Sequence, residues 1–422
     1  LNETFLFDIS LTPVFFSSNL AKHHEQCANL EIHPTTRPLP RCPDEQLGFG
    51  KVNFFFHSSS STKTNHKKHL NLKTYLSSPL RSPYTQVISD HMLKIEWRNG
   101  LGWSNPQIIP SGPIALHPFA HVFHYANECY EGMKAYIDAN GNVRMFRPEK
   151  NMERLNFSAS RLCLPAFNGE ELLKCIEALL KVDKEWIPRK KGYAMYLRPL
   201  IFSTTPWLGL TQTSEAHLYV MMSPVGPYFK SGFVPIKLAV DSKWIRAWPG
   251  GTGNVKFGGN YSPTVMAQRD AANSGASQAL FVYDKEQYIT EAGTMNIFLL
   301  WKNKMGEKEL VTPTLEDGTI LAGITRQSVI DLAREWGECK VTERMLPLQE
   351  VLDAFNRTEV YEIFGTGTAA VIQPISSISY NGIDYSVPKN AFSENAFQVR
   401  MTNTLIGIQY GEIEHPWSRV VA

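Results

Sequence analysis

The segment "GGTGNVKFGGNYS", Gly250 to Ser262, places one amine, Lys256, between two pairs of glycines, with a phenol, Tyr261, close behind. Glycine-dense backbone costs folding entropy and is kept where main chain must approach something closely. Three readings of such a lysine compete. A phosphate loop requires Gly-Lys-Ser/Thr, but Val255 precedes Lys256 and Phe257 follows it, so the magnesium-binding hydroxyl is missing. A solvated lysine in a surface loop does no chemistry. A lysine shielded from water can be uncharged, attack an aldehyde and hold it covalently.

The usual biological aldehyde for that purpose is pyridoxal phosphate. It requires a carboxylate at the ring nitrogen, a cup for its phosphate and a donor to its ring oxygen. Glu291 in "ITEAG" is a carboxylate in apolar surroundings, which is unusual unless it is paired. A structural ion pair between Glu291 and Arg154 is the bland alternative. "LAGITR" opens a helix, and free N–H groups at a helix start bind anions. Two other patterns fail. "IFGTGTAA" has the spacing of a dinucleotide fingerprint, but "VIQPISSISY" with Pro374 follows it where a helix is needed; its turn amides can still hold an anion. His117, His121 and His124 with Cys129 suggest a metal cluster, but Pro118 breaks any helix that would align the first two and no HExxH arrangement exists, so they read as buried or surface histidines and no metal is expected.

The elements that must position these groups follow from periodicity. "HMLKIEW", "GNVRMFR", "YAMYLRPLIF" and "HLYVMMSPV" read as strands, as do "IKLAV", "ALFVY", "YITEAG" and "NIFLLW". "NMERLNFSASRLCL" has Met152, Leu155, Phe157, Ala159 and Leu162 mostly at helical spacing. "NGEELLKCIEALLKVDKEWI" is a helix capped by Asn168, burying Leu172, Leu173, Ile176, Leu179 and Leu180. "GITRQSVIDLAREWG" is another; Ile324, Val329, Ile330, Leu332, Ala333 and Trp336 pattern one side and Gly337 ends it. "EVYEIFGTGTAAVIQPISSISY" reads as strand, tight turn, strand.

The chain has 422 residues with net charge +2, room for two packed α/β domains. Residues 1–51 form an N-terminal extension, 52–86 an insert, 87–222 a small α/β domain, 223–235 a Pro/Gly-rich linker and 236–422 a larger domain. The insert is Ser-, Lys- and Asn-rich with almost no acid, and reads as disordered. The near-neutral balance argues against nucleic acid, and no apolar run reaches the ~20 residues of a membrane span. Six scattered cysteines without a CxxC read as reduced thiols of an intracellular protein. The first residue is Leu, so a fragment or processed product is expected. Residues 1–25 are a poor match to a mitochondrial transit peptide and leave cytoplasm or mitochondrion open.

From about Asp90 to its end the chain resembles the branched-chain amino acid aminotransferases, fold-type IV (class IV) pyridoxal phosphate enzymes, in their eukaryotic form. The stretches that carry the likeness are "DHMLKIEW", "YEGMKAY", "RPEKNMERL", "YLRP", "SPVGPYF", "GGTGNVKFGGNY", "TEAGTMNIF", "LAGITRQS", "FGTGTAA" and "EHPW". The resemblance implies a small α+β domain and a larger, barrel-like domain. It implies a homodimer exchanging an amino group between leucine, isoleucine or valine and 2-oxoglutarate. Lys256 would hold the aldehyde and carry the Cα proton, Glu291 would face the pyridine nitrogen, and Tyr261 the ring oxygen. Arg154, the N–H groups of Ile324 and Thr325 and the hydroxyl of Thr368 would bind the phosphate. The Thr368-Ala369 turn would take the α-carboxylate with Tyr125, from a second subunit. Tyr130, Tyr196, Tyr228 and Leu208 would surround the branched side chain, and Arg198 would receive a distal carboxylate. The glycines around Lys256 would let backbone pass close to the cofactor ring.

Two departures from the family pattern matter. Joining Lys51 to Val87 restores the family's "LGFGKVISDHMLKIEW", and Val52-Asn53 and Gln86 are codable as intron edges, so residues 52–86 read as retained intron; a lineage-specific loop is the alternative. An insert so close to Phe49, which the family uses to line the pocket, would misplace that wall. Vertebrate members carry a redox CxxC where this chain has Ala370 and Gln373, so thiol regulation there is not expected. D-amino acid transamination, aminodeoxychorismate lyase chemistry and an inactive cofactor-binding paralogue are the competing readings; "YEGMKAY" with Arg198 argues against the first two.

Overall fold

Alternation of apolar and polar residues forms the first long strand, His91–Arg98 (β1), with Leu93 and Ile95 fully buried. The computed structural model describes residues 87–226 and 234–421. Gly102–Trp103 (β2) and Gln107–Pro110 (β3) both pair antiparallel with β1. A short helix, His121–Tyr125 (α1), precedes strands Glu128–Tyr130 (β4), Met133–Ile137 (β5) and Val143–Phe146 (β6). Helices Pro148–Arg161 (α2) and Gly169–Val182 (α3) follow, then the long strands Ala194–Ser203 (β7) and Glu215–Val225 (β8). The main sheet path runs β6-β5-β7-β8-β1-β2, and every pairing in it is antiparallel.

The α3 helix forms as its sequence demands: the Asn168 side chain accepts the Glu171 N–H at 3.1 Å, and Leu172, Leu173, Ile176, Leu179 and Leu180 are buried against the sheet. The α2 helix departs from the periodicity in two ways. It starts earlier, with Pro148 in its first turn, and Phe157 is exposed. Its buried surface is two stripes: Met152, Leu155 and Ala159 enter the core, while Asn151, Arg154 and Ser158, at helical spacing, form a buried polar row. The β8 strand extends three residues into the segment expected to be linker, because Met222 to Val225 pair with Ala194 to Leu197. Residues 227–233 of that segment, with Tyr228, lie outside the described residues, as do the insert 52–86 and Phe49. Val87, where description begins, is buried, and its carbonyl accepts the Ser223 hydroxyl at 2.6 Å.

The second sheet is built from Ile236–Val240 (β9), Gln278–Tyr283 (β10), Tyr288–Ala292 (β11), Met295–Lys302 (β12), Lys308–Thr312 (β13), Lys340–Glu343 (β14), Val360–Gly367 (β15), Val371–Tyr380 (β16) and Ile383–Ser386 (β17). Its order β11-β10-β9-β16-β15-β12 closes on itself through β12–β11 pairing, giving a six-strand barrel from which β13 and β14 extend. Helices Thr264–Asn273 (α4), Ile324–Trp336 (α5), Leu348–Asn356 (α6) and Phe397–Gln409 (α7) belong to this half. The unbroken apolar run of β12 has a physical reason. Ile297, Leu299 and Trp301 face one core with α6, while Phe298 and Leu300 face another with α5 and α7. The last strand, Ser418–Val420 (β18), returns to the first sheet and pairs with β6.

Candidate active site

The lysine loop is held from three sides. The Lys256 N–H donates to Ser158 Oγ at 2.9 Å, and its carbonyl accepts the Tyr130 N–H at 3.1 Å. Asn260 Nδ2 donates to the carbonyls of Thr252 and Val255 at 2.7 and 2.9 Å. Lys256 Nζ lies 3.2 Å from the Tyr261 hydroxyl and 4.8 Å from the centre of the Tyr130 ring. The loop glycines serve approaches within the protein. A Cβ at Gly253 would stand 2.6 Å from the Thr319 carbonyl oxygen, and one at Gly258 would occupy the place of the Glu128 carboxylate.

Lys256 opens into a cavity of about 210 Å³ whose wall gathers most of the sequence candidates: Arg154, Tyr261, Glu291, Ile324, Thr325, Thr368, Ala369, Tyr130, Tyr196 and Arg198. Glu291 and Arg154 are both buried, but they do not pair with one another. Arg246 NH2 lies 3.1 Å from Glu291 Oε2, and the Leu321 N–H donates to Glu291 Oε1 at 2.8 Å. Arg154 forks onto Glu131 at 2.7 and 2.8 Å, and a third N–H reaches the Ala322 carbonyl at 2.9 Å. Burial alone would raise the Glu131 carboxyl, but the charge and hydrogen bonds of Arg154 override it and hold the group below its ordinary range. Two of the five Arg154 N–H groups remain for a ligand.

The turn after β15 is tied to β5. Thr368 Oγ1 donates to the Gly132 carbonyl at 3.2 Å, and Lys134 Nζ donates to the Ala369 carbonyl at 2.8 Å. Desolvation of the Lys134 amine brings its pKa down to about 8. Val371, which ends the turn, has φ +63°, an outlying conformation for a β-branched residue. Such strain persists only where surrounding contacts over-determine it.

Tyr125 and Leu208 are not in this wall. The Tyr125 hydroxyl, at the end of α1, donates to the Leu208 carbonyl, and both residues are exposed. Leu208 sits in the connection between β7 and β8 and does not line the cavity that Tyr130 and Tyr196 share.

Five contributors escaped the sequence reading. Glu131 and Arg246 are the partners of the two charges, Ser158 and Lys134 anchor the loop and the turn, and Thr366 lines the cavity with its hydroxyl buried and unpartnered. Glu131 carries the signal that exposed Glu291, a carboxylate among apolar residues in "YEGMKAY". Arg246, Ser158 and Thr366 carry none.

The cavity fits pyridoxal phosphate. The α5 helix begins at its edge with no side-chain cap and no acid in its first turn, leaving N–H groups for phosphate oxygens. The orphaned Thr366 hydroxyl and the Arg198 Nε, also buried without a partner, await polar ligand atoms. Among the described residues no group of three or more His, Cys, Asp or Glu could hold a metal ion.

Residues 128–378 match the family described as Amino-transferase class IV. The chain is 46% identical over 339 residues to the branched-chain-amino-acid aminotransferase of Dictyostelium discoideum, covering 80% of this chain and 89% of that one. It is 47% identical over 335 residues to the cytosolic branched-chain-amino-acid aminotransferase of Mus musculus, covering 79% and 86%. The solved branched-chain amino acid aminotransferase of Escherichia coli superposes with a TM-score of 0.63 at 25% identity, covering 79% of this chain and all of the bacterial one. The stretch that matches the family spans β4 to β16, so it contains both the loop that carries Lys256 and the turn that faces it. The chain belongs to the class IV aminotransferases, with the fold-type IV architecture of a small antiparallel α+β half and a barrel half.

Proposed function

We propose that the protein transfers the amino group of leucine, isoleucine or valine to 2-oxoglutarate, producing the branched-chain 2-oxo acid and L-glutamate. One observation carries the reading: a single cavity holds a lysine amine beside a phenol and, in the same wall, an arginine over aromatic rings. Arg198 stands 4.5 Å from the Tyr130 ring centre and 5.3 Å from that of Tyr196. An apolar aromatic wall suits a branched side chain, and the guanidinium within it suits the second carboxylate of glutamate.

Arg154, the Ile324 and Thr325 N–H groups and Thr368 would hold the cofactor phosphate, Tyr261 its ring oxygen, and Glu291, fixed by Arg246, its ring nitrogen. Bound pyridoxal phosphate supplies an electron sink for the pair left when Cα loses its proton. Lys256 Nζ would hold the cofactor's aldehyde group, and its amine is placed to move the Cα proton of the substrate. Tyr261 aims Lys256 Nζ through their 3.2 Å contact. The Thr368-Ala369 turn, fastened by Lys134, presents amides to the α-carboxylate. Tyr125 and Leu208 serve a partner's cavity. Phe119, Phe123, Trp207, Leu208 and Leu210 are all exposed around them, and the Ala120–Pro206 bridge joins the two segments into one apolar patch that a second copy covers. The free thiols among the described residues, Cys129, Cys163, Cys175 and Cys339, accord with an intracellular site.

The test is direct. Purified protein should show a yellow cofactor band and form glutamate in the presence of leucine and 2-oxoglutarate. Lys256→Ala should lose both. Activity with D-alanine in place of leucine would assign another class IV activity, and a colourless wild type would overturn the reading.

A further inference from the structure

A guanidinium enclosed beside an isobutyl group is costly unless a negative charge balances it. Arg198 has this problem whenever the bound side chain is aliphatic. Its NH2 donates to the Tyr196 hydroxyl at 3.1 Å, the aromatic faces offset part of its charge, and its Nε is buried with no partner.

Glu128 is the complementary orphan. The β4–β7 register sets Glu128 opposite Phe202 and Tyr130 opposite Leu200, so Glu128, Tyr130 and Arg198 share one face of the sheet. Glu128 does not line the cavity. Its Oε2 is buried without a hydrogen-bond partner, and its carboxylate packs against Gly258, two residues beyond Lys256. The charged and titratable groups on the elements around it are Arg198 and Tyr196 from β7, Cys129, Tyr130 and Glu131 from its own segment, Lys256 and Tyr261 from the loop, and Arg154 from α2.

We propose that Glu128 is the counter-charge of Arg198 when the bound substrate is aliphatic, and that through Arg198 it sets the preference between branched-chain and dicarboxylic substrates. The inference rests on the reading that Arg198 receives the distal carboxylate. When glutamate or 2-oxoglutarate brings a second carboxylate to Arg198, two anions compete for one cation, and Glu128 takes up a proton from solvent. Burial pushes the Glu128 carboxyl up to about 7, against the pull of the Gly258 amide and the Arg198 charge, so that proton is exchanged near neutral pH. Dicarboxylate binding therefore weakens as pH rises above 7, by up to about 10-fold per unit. Leucine binding does not draw on this proton.

Steady-state KM values for 2-oxoglutarate and leucine, measured on holoenzyme from pH 6 to 9, test the proposal. Glu128→Gln should flatten the 2-oxoglutarate profile. At pH 8.5 it should lower that KM by about 5-fold or more while raising the KM for leucine by about 3-fold. Glu128→Asp, which keeps the charge, should retain the pH dependence. A general structural defect would move both constants the same way; that outcome, or an unchanged pH profile in Glu128→Gln, overturns the proposal. Arg198→Gln separates the underlying reading. If it raises the KM for 2-oxoglutarate far more than that for leucine while the Glu128 variants fail, only this proposal falls. If it raises both equally, Arg198 is not the distal carboxylate site, and the proposal falls with it.

Discussion

At the residue scale, two buried charges of the site have a dedicated partner, Arg154 with Glu131 and Glu291 with Arg246. Arg246 is nearly as buried as the Glu291 it pairs with. Arg246→Met should leave a buried carboxylate without its cation and destabilise the protein by about 3–5 kcal/mol, read from urea denaturation. Cofactor affinity should fall in the same variant, because Glu291 loses the contact that orients it. Lys134 gives a pH signature. Its pKa in the fold is about 8, below the 10.5 of a free lysine, so the unfolded chain binds more protons between those values. Stability contributed by this residue should therefore rise with pH across that window. Lys134→Met should remove that slope in denaturation curves recorded from pH 7.5 to 10.5, and should raise the KM for the amino acid by loosening the Ala369 carbonyl.

At the element scale, the turn between β15 and β16 is a strained piece locked at both ends. The left-handed conformation of Val371 costs about 1–2 kcal/mol, while burying its side chain returns about 1.5–3 kcal/mol. Val371→Gly removes both terms, so the loss of stability should not exceed about 2 kcal/mol by urea denaturation. The freed turn should raise KM for both substrates, since amides aimed at a carboxylate lose their fixed direction. The α2 helix teaches a related lesson about periodicity. Its apolar spacing marked a helix correctly, but Phe157 was assigned to a face that is exposed, and the buried polar row Asn151, Arg154 and Ser158 was recognised only at Arg154. Spacing finds the buried side of a helix. It does not say which part of that side meets a core and which meets a site.

At the scale of the whole molecule, the exposed patch around Leu208 sets an expectation for assembly. On the proposal that a second copy covers this patch, Leu208→Asp should yield a monomer in sedimentation velocity and reduce activity at least about 10-fold, since a charge buried there without a partner would be costly. The insert gives another. A chain in which Lys51 is joined to Val87 should bind cofactor as the parent does, because the cofactor residues lie far downstream. If residues 52–86 interrupt the family's pocket-lining segment, as the resemblance implies, it should exceed the parent in kcat/KM for leucine by about 10-fold or more. Equal efficiency with and without residues 52–86, or a spliced transcript that keeps them, would identify a genuine loop.

The sequence by itself determined the chemistry and the local elements. Lys256, Tyr261, Glu291 and the uncapped start of α5 are set by residue type and near-neighbour spacing, which local physics and motif likeness both read. The strands β1 and β12 and the helices α3 and α5 follow from periodicity and capping within a dozen residues. Tertiary structure alone decided what each charge pairs with, which glycine is needed against which neighbour, and that β18 returns from the far end of the chain to the first sheet. It also decided that Tyr125 and Leu208 sit apart from Lys256 within one chain. The physical reason is common to all of these. Pairing energies between buried charges and packing against a backbone depend on distance in space, and contacts such as Arg154 with Glu131 or Arg246 with Glu291 join segments whose separation along the chain leaves no periodic trace.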